Sequence, residues 1–284
     1  MPASLKRRLT PYLLTLPGAL WLLAFFLVPM VTMLSVSLQE GSLEEGYRFT
    51  GHWQTYTEAL GKFDTQLLRS IWYGAIVTVV TLVVSYPMAY WIALRGGRRK
   101  NLYLLLILLP FFTPFIIRTL SWKFILADEG IFLGALKDWG VLPDAYQVLA
   151  TSTAVVAGMI YNFLPFMALP LYVALERLDP AMLDAASDLY SSRRQAFLKV
   201  TLPLSMPGVF AGCLLTFIPA VGDFVNATFL GGVNTTMIGN VIQREFLTNN
   251  DYPEGAAISF LLMAAILVGV LRYVRKMGAE ELTV

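Results

Sequence analysis

Six long, strongly apolar stretches constrain this chain more than any other feature of its sequence. They cover roughly residues 12–38, 71–95, 102–122, 150–175, 205–228 and 255–275. Each is close to or above the about 20 residues that an α-helix needs to cross a bilayer. Composition agrees, because only 14% of the residues are charged, whereas soluble domains carry about 25%. The sequence therefore predicts an all-α polytopic membrane protein with six transmembrane helices in a single domain over residues 1–284.

The distribution of positive charge predicts the orientation of these helices. Cytoplasmic segments of membrane proteins are enriched in Lys and Arg. Basic residues cluster before the first span, between spans two and three at 95–100, between spans four and five, and after the last span. Both termini are therefore predicted to be cytoplasmic. The apolar stretch from Pro11 to Leu38 is too long for a signal-peptide core and is expected to remain as the first span.

Prolines and glycines inside the spans predict irregular and closely packed helices. The pairs Pro110/Pro114 and Pro165/Pro170 each remove backbone hydrogen bonds. Such helices persist in a membrane where neighbours or water satisfy the freed carbonyls, so they are expected to bend and line a cavity. A G-x-x-x-G step over 208–212 would let another helix approach closely, although chance small residues explain it equally well.

No catalytic motif accompanies the spans. The sequence contains no G-x-x-x-x-G-K-[ST] phosphate loop and no H-E-x-x-H motif, and its only histidine, His52, lies in a predicted outer loop. A lone Cys213 allows no intramolecular disulfide. These features argue against an enzyme, a metal site or ATP binding by this chain, and they favour a transport pathway. A secondary transporter or channel and an intramembrane enzyme are the alternatives.

Two ionisable residues at membrane depth are the main candidates for that pathway, because buried charges in membranes are costly and usually functional. Asp223 lies beside Gly222 and downstream of Pro219, where irregular backbone beside a water-filled cavity is expected. The alternative for Asp223 is a paired structural acid. Arg118 either lines the pathway or extends to the headgroups. Softer candidates are Trp122, Tyr161, Asn162, Phe163, Phe166 and Phe224.

A polar segment between spans four and five, residues 178–204, has strong helix signals. Asp179 followed by Pro180 is typical of a helix start. Apolar residues then recur at helical spacing, and the small pair Ala185-Ala186 would let another surface approach closely. A solvated loop is the alternative, but a capped amphipathic hairpin suits insertion into a groove on a soluble partner.

The hairpin resembles the EAA motif of the membrane subunits of bacterial ABC importers of the type I, MetI-like kind. That motif reads roughly E-A-A-x-x-x-G, followed by I-x-L-P. The corresponding residues in this chain are Asp184, Ala185, Ala186, Asp188, Tyr190, Leu202 and Pro203. Tyr190 departs from the pattern, because the family has glycine at the turn. The resemblance implies that this hairpin is the coupling helix that docks on an ATPase subunit.

Four further segments are similar to the spermidine/putrescine (PotB/PotH-type) subfamily of these permeases. They are residues 109–122, 161–172, 217–232 and 237–246. The resemblance implies a MetI-like fold and import of polyamines by alternating access. Similar relatives import opines, other amines or unrelated small solutes, so those substrates stay open.

The resemblance also implies the partners and the location of the chain. It implies a second, related permease subunit, two ATP-binding subunits that carry ATP and Mg²⁺, and an extracytoplasmic solute-binding protein that meets the outer loops 39–70 and 231–254. The chain itself would hold no cofactor and bind no nucleic acid. It would be a multi-pass protein of the bacterial inner membrane.

Overall fold

The computed structural model describes residues 3–143 and 145–281, and nearly all of its regular structure is helical. The helices are α1 (Ala3–Ser37), α2 (Gln54–Arg95), α3 (Lys100–Leu108), α4 (Phe115–Ile125), α5 (Ile131–Asp138), α6 (Ser152–Glu176), α7 (Pro180–Asp188), α8 (Arg193–Ala196), α9 (Leu202–Val221), α10 (Val225–Leu230), α11 (Ile238–Arg244) and α12 (Tyr252–Glu281). Short 3₁₀ segments occupy Gly97–Arg99, Leu109–Phe112 and Val233–Thr235, and π-helical segments occupy Phe197–Thr201 and Glu245–Asn249.

Five helical segments of the described chain are long and apolar enough to cross a membrane. They are Leu14–Ser37, Gln54–Arg95, Ser152–Glu176, Arg193–Val221 and Tyr252–Arg275. The bent pair Gly97–Phe112 and Phe115–Ile125 makes a sixth span if its two parts are counted together. This confirms the predicted all-α membrane class. The cytoplasmic orientation of the termini stays a prediction.

The third predicted span is broken rather than continuous. Its two parts meet at an angle of 91°. Thr113 has an extended backbone (φ −87°, ψ 133°), because the ring of Pro114 excludes the preceding residue from the helical region. The other proline pair behaves differently, since α6 stays helical through Pro165 and Pro170.

Close packing of α6 against α9 depends on the two glycines of the G-x-x-x-G step. A Cβ added to Gly208 would lie 2.5 Å from Ala174 Cβ and 2.7 Å from the carbonyl oxygen of Pro170. A Cβ added to Gly212 would lie 2.7 Å from Met167 Sδ. The helix that approaches these glycines is therefore α6 of the same chain, as small residues at membrane helix contacts allow.

The chain divides into two compact units. The first comprises the described residues up to Lys62 together with Ile242–Ala265. The second comprises Phe63–Val241 and the described residues from Ile266 onward.

Part of the predicted outer loop 39–70 is ordered in the first unit. Strands β1 (Gln39–Ser42) and β2 (Gly46–Phe49) form an antiparallel hairpin. The hydroxyl of Tyr47 in β2 donates to the carbonyl oxygen of Asn250. Residues 54–70, expected to be loop, are helical within α2 apart from a kink at Phe63, whose backbone is non-helical (φ −124°, ψ 18°).

The second unit has an apolar core built by α2, α6 and α9. One cluster contains Tyr73 and Val77 of α2 together with Met159 of α6. A second cluster contains Ala89 of α2 and Leu171 of α6. These packed helices position the polar residues described next.

Candidate functional site

Buried polar side chains of the second unit gather where two helical segments are interrupted. One interruption separates α3 from α4 around Thr113. The other lies between Val221, where α9 ends, and Val225, where α10 begins, and it contains Asp223. The irregular backbone expected at Asp223 is therefore observed. Such backbone at membrane depth requires polar partners.

Arg118 on α4 is only 6% exposed. Its Nε donates to Asn162 Oδ1 at 2.6 Å, and its Nη1 donates to the carbonyl oxygen of Pro110 at 3.1 Å, beside the break. The guanidinium carbon lies 5.4 Å and 5.5 Å from the ring centroids of Phe111 and Phe115, a distance suited to cation–π attraction. Arg118 thus makes its polar and cation–π contacts within the chain.

Asp223 caps α10 and is also 6% exposed. Its Oδ1 accepts a hydrogen bond from the backbone N–H of Asn226 at 2.8 Å, three residues along, as a helix-capping carboxylate does. Its Oδ2 accepts from Asn226 Nδ2 at 2.5 Å. Both carboxylate oxygens are therefore engaged within the chain.

Two asparagines link the charged residues. Asn162 Nδ2 donates to Asn226 Oδ1 at 2.9 Å and to Thr119 Oγ1 at 3.1 Å. Within residues 3–143 and 145–281, Arg118 and Asp223 form no direct ion pair; they are connected by a chain of hydrogen bonds through Asn162 and Asn226, which we call the relay. The relay places one positive and one negative charge among buried neutral amides, which reduces the cost of burying either charge.

A cavity of about 410 Å³ opens beside Arg118 between α2, α3 and α6. Its lining includes Trp91, Pro110 and Tyr161. The ring of Trp122 meets that of Tyr161 edge-on at 5.2 Å. Arg118 and Tyr161 therefore line the same cavity, and the ring of Trp122 packs against that of Tyr161.

The remaining aromatic candidates take no part in the hydrogen bonds of the relay. Phe224 is partly exposed, and its carbonyl oxygen accepts from Asn240 Nδ2 at 3.0 Å. Phe163 and Phe166 pack against the aromatic rings of Phe115 and Phe111.

Three members of this site were not predicted from the sequence. Thr119 and Asn226 are buried partners of Asn162. Gly158 leaves room for the amide, because a Cβ there would lie 2.9 Å from Asn226 Oδ1. The sequence did contain a signal for Asn226, because it is an uncharged polar residue in an apolar segment, three positions after Asp223.

The hairpin 178–204 is an ordered, doubly capped element. Asp179 Oδ1 accepts from the N–H of Ala181 at 2.9 Å, and Pro180 is the first residue of α7. Ser192 and Gln195 form a reciprocal capping box that starts α8. The segment is therefore helical rather than an irregular loop: α7 is a short helix of its own, whereas α8 continues through Phe197–Thr201 into α9, so that Arg193–Val221 is one helical segment.

Most of the motif residues lie on the surface of the hairpin. The exposed ones are Asp184, Ala185, Asp188, Tyr190 and Pro203, whereas Ala186 is buried and Leu202 half-buried. The end of α7 presents two large apolar side chains, Leu189 at 80% exposure and Tyr190 at 98%.

Tyr190 forms the turn with a left-handed backbone conformation (φ 56°). This conformation costs an L-amino acid roughly 1–2 kcal/mol. The N–H of Tyr190 donates to Ser187 O at 3.0 Å, and that of Ser191 donates to Ala186 O at 3.1 Å, which closes the end of α7. Tyrosine thus adopts the geometry that glycine usually supplies after a helix.

The second half of the hairpin contacts α2. The ring of Phe197 packs edge-on against Tyr86 and Tyr90, with centroid distances of 5.6 Å and 5.9 Å. The Tyr86 hydroxyl lies 2.7 Å from Ser205 Oγ on α9. The hairpin is therefore held at its base by aromatic contacts.

Across the described residues, no cluster of three His, Cys, Asp or Glu side chains could hold a metal ion.

Comparison with known families decides the class. Residues 85–276 match the family described as "Binding-protein-dependent transport system inner membrane component". The chain belongs to this family. It is accordingly a permease subunit of the inner membrane and not an enzyme, as the sequence predicts.

Several curated permeases are similar over most of their length. The chain is 38% identical over 256 residues, 90% of both chains, to the spermidine/putrescine transport system permease protein PotB of Haemophilus influenzae. It is 35% identical to the PotB of Escherichia coli, covering 90% of this permease and 93% of the relative. It is 32% identical over 228 residues to the E. coli inner membrane ABC transporter permease protein YdcU, covering 76% of this permease and 72% of that one.

The fold is also found in solved structures. A chain of a bacterial ABC transporter involved in import of the acidic polysaccharide alginate superimposes with a TM-score of 0.69 at 18% identity. The match covers 96% of this permease and 98% of the other chain. A chain of a bacterial alginate ABC transporter in complex with an alginate pentasaccharide-bound periplasmic protein gives a TM-score of 0.67 at 19% identity, over 94% of this permease and 93% of the other chain. These two chains share the fold of this permease.

Proposed function

We propose that this chain is the transmembrane permease subunit of an ATP-driven, binding-protein-dependent importer of polyamines, with spermidine and putrescine as its solutes. The similarity to two PotB permeases of spermidine/putrescine transport systems supports the choice of solute. The observation that carries the mechanism is the capped hairpin 178–204, which joins α6 directly to α9.

The hairpin is mechanically connected to the relay. Its two ends continue into α6 and α9, which pack closely at Gly208 and Gly212. Asn162 lies on α6, and α9 ends next to Asp223. Because helices transmit displacement as rigid rods, movement of the hairpin would shift both sides of the relay. We propose that this drives alternating access.

The proposed partners follow from the surfaces of the chain. The exposed end of α7 would dock on one ATP-binding subunit, and the second permease would dock on another. ATP and Mg²⁺ would be held on these two subunits. Residues 14–29 of α1 are exposed throughout, so lipid and a second, related permease would cover them. An extracytoplasmic solute-binding protein would meet the segments 39–53 and 231–254. In this arrangement residues 1–284 act as one permease domain with both termini in the cytoplasm.

A cationic solute suits the buried carboxylate of Asp223. In this conformation Asp223 is 6% exposed and both of its carboxylate oxygens accept from Asn226, so a solute amine would reach the carboxylate only when the relay opens. Arg118 carries the opposite charge at the other end of the relay and would neutralise Asp223 while the pathway is closed. Trp122, Tyr161, Asn162 and Phe224 complete the proposed pathway.

A different small solute, such as an opine or another amine, is the second candidate. It is favoured by the 32% identity to YdcU, whose name specifies no solute. A secondary transporter would instead take up its solute without ATP.

Uptake measurements test these proposals directly. Labelled spermidine and putrescine uptake is measured in cells with and without the gene, with the other importer components present. We expect loss of uptake on deletion, restoration by the intact gene, and no restoration by Asp184→Lys, which reverses an exposed charge of the hairpin. Unchanged polyamine uptake would reject these solutes, and full activity of the Asp184→Lys protein would reject the hairpin as the coupling element.

A further inference from the structure

We propose that Tyr190 is a binding knob, which inserts into an apolar pocket on the ATP-binding subunit and makes the largest single contribution to docking of the hairpin. This inference rests on the proposed importer function. It concerns a position at which this chain departs from the motif of its family.

The Tyr190 side chain contributes nothing visible to the fold of its own chain. It is 98% exposed. Among the contacts within residues 3–143 and 145–281, its ring has no aromatic partner and its hydroxyl no hydrogen bond, while its backbone N–H closes the turn. A glycine would make the same backbone bond without a side chain.

The backbone at Tyr190 is also unfavourable for this residue type. Its φ of 56° is in the left-handed region, which bulky residues rarely enter and which Gly, Asn and Asp tolerate. Unusual backbone of this kind persists where it serves an interaction or a mechanism. Here its effect is to direct an aromatic ring away from the hairpin.

The surroundings of Tyr190 have the layout of a protein interface. Leu189 beside it is 80% exposed, and the two side chains form an apolar centre. Exposed charges of both signs lie close to this centre in the chain: Asp184 and Asp188 on α7, and Arg193 and Arg194 on α8. An apolar centre with a mixed charged rim is typical of protein contacts, whereas anionic lipid attracts clusters of basic residues alone. Tyrosine is enriched among the residues that dominate such contacts, because its ring buries a large area at low entropy cost.

Three substitutions separate the ring from the backbone. Tyr190→Gly removes the ring and relieves the backbone, Tyr190→Asn removes the ring but tolerates the left-handed conformation, and Tyr190→Phe keeps the ring. Trp139→Asn, at an exposed ring outside the hairpin, is the matched control. Each variant is assembled with the second permease in lipid nanodiscs. Binding of fluorescently labelled ATP-binding subunit and the unfolding temperature of the permease are then measured.

We expect the Gly and Asn variants to bind the labelled subunit about tenfold more weakly, and the Phe and Trp139 variants to stay within about twofold of the original chain. The unfolding temperature should be equal or higher in the Gly variant. Unchanged binding in both the Gly and Asn variants would overturn the proposal. If the unsubstituted chain binds no ATP-binding subunit, the proposed importer function is wrong. Strong binding by every variant would reject only the proposed role of Tyr190 in docking.

Discussion

Asn162 on α6 donates a 2.9 Å hydrogen bond to Asn226 on α10, and this single contact connects the buried charges of Arg118 and Asp223. In a medium of low dielectric constant such a chain of bonds is cooperative, because each member without its partner would be a costly buried polar group. The relay also joins the two places where helices are broken. It can therefore hold both breaks in one arrangement and release them together.

Removing the central amide should destabilise the permease. Asn162→Ala deletes the acceptor for Arg118 and the donor for Asn226, and we expect a loss of about 2 kcal/mol in unfolding free energy. Thermal unfolding of the purified chain in detergent measures this change. Asn240→Ala, which breaks hydrogen bonds of a half-buried amide to Phe224, Thr228 and the N–H of Met237, leaves no buried charge without its partner; it is the control and should cost less than Asn162→Ala. Equal effects of the two substitutions would contradict a special role for the relay.

Neutralising Asp223 should impair transport of a cation more than it impairs folding. In Asp223→Asn the side-chain oxygen can still cap α10, but the negative charge is lost. We expect polyamine uptake to fall about tenfold at low solute concentration, since an intramembrane charge usually serves the transported ion. Uptake equal to that of the original chain would remove Asp223 from the pathway.

The double variant Arg118→Gln/Asp223→Asn tests whether the two charges balance each other. If they do, the double variant should lose less unfolding free energy than the sum of the two single variants. Each single substitution leaves one buried charge uncompensated, and the double substitution leaves none. Additive losses would show that the relay does not couple them.

The aromatic contact at the base of the hairpin should matter for coupling. Phe197→Ala removes two edge-on ring contacts, with Tyr86 and Tyr90, each worth about 0.5–1.5 kcal/mol. We expect more ATP hydrolysed for each solute imported, because the hairpin can then move without displacing α2. Uptake and hydrolysis measured together in proteoliposomes give this ratio. Leu198→Ala, at a more exposed neighbour, should leave the ratio unchanged, and an altered ratio there would show a nonspecific effect.

The close approach of α6 and α9 predicts strong sensitivity to a single methyl group. Gly208→Ala would place its Cβ 2.5 Å from Ala174 Cβ, so we expect a loss of about 1–3 kcal/mol in unfolding free energy. Gly222→Ala is the control, because no atom lies within 4 Å of the added Cβ. Lower unfolding temperatures for the first variant alone would support the packing, and equal temperatures would refute it.

Local sequence signals account for most of the elements. The apolar stretches, the helix start at Asp179 and Pro180, and the irregular backbone at Asp223 depend on residues close together in the chain. The prediction that proline pairs bend their helices was correct for the third span and wrong for the fourth. The pair Pro110/Pro114 indicates a bend, yet the similar pair Pro165/Pro170 lies in a continuous helix. Proline removes a hydrogen bond in both, so its outcome depends on what packs around the helix.

The sequence by itself determined the membrane class, the helical segments and the capped hairpin, because hydrophobic length and helix capping act over a few turns. Only the tertiary structure decided how the charged residues are satisfied. Asn162 is 44 residues from Arg118 and 64 residues from Asn226 along the chain. Neutral amides leave no charge pattern that would reveal such partners. Their hydrogen bonds exist because α4, α6 and α10 pack together and bury these side chains, which must then find polar partners within the protein.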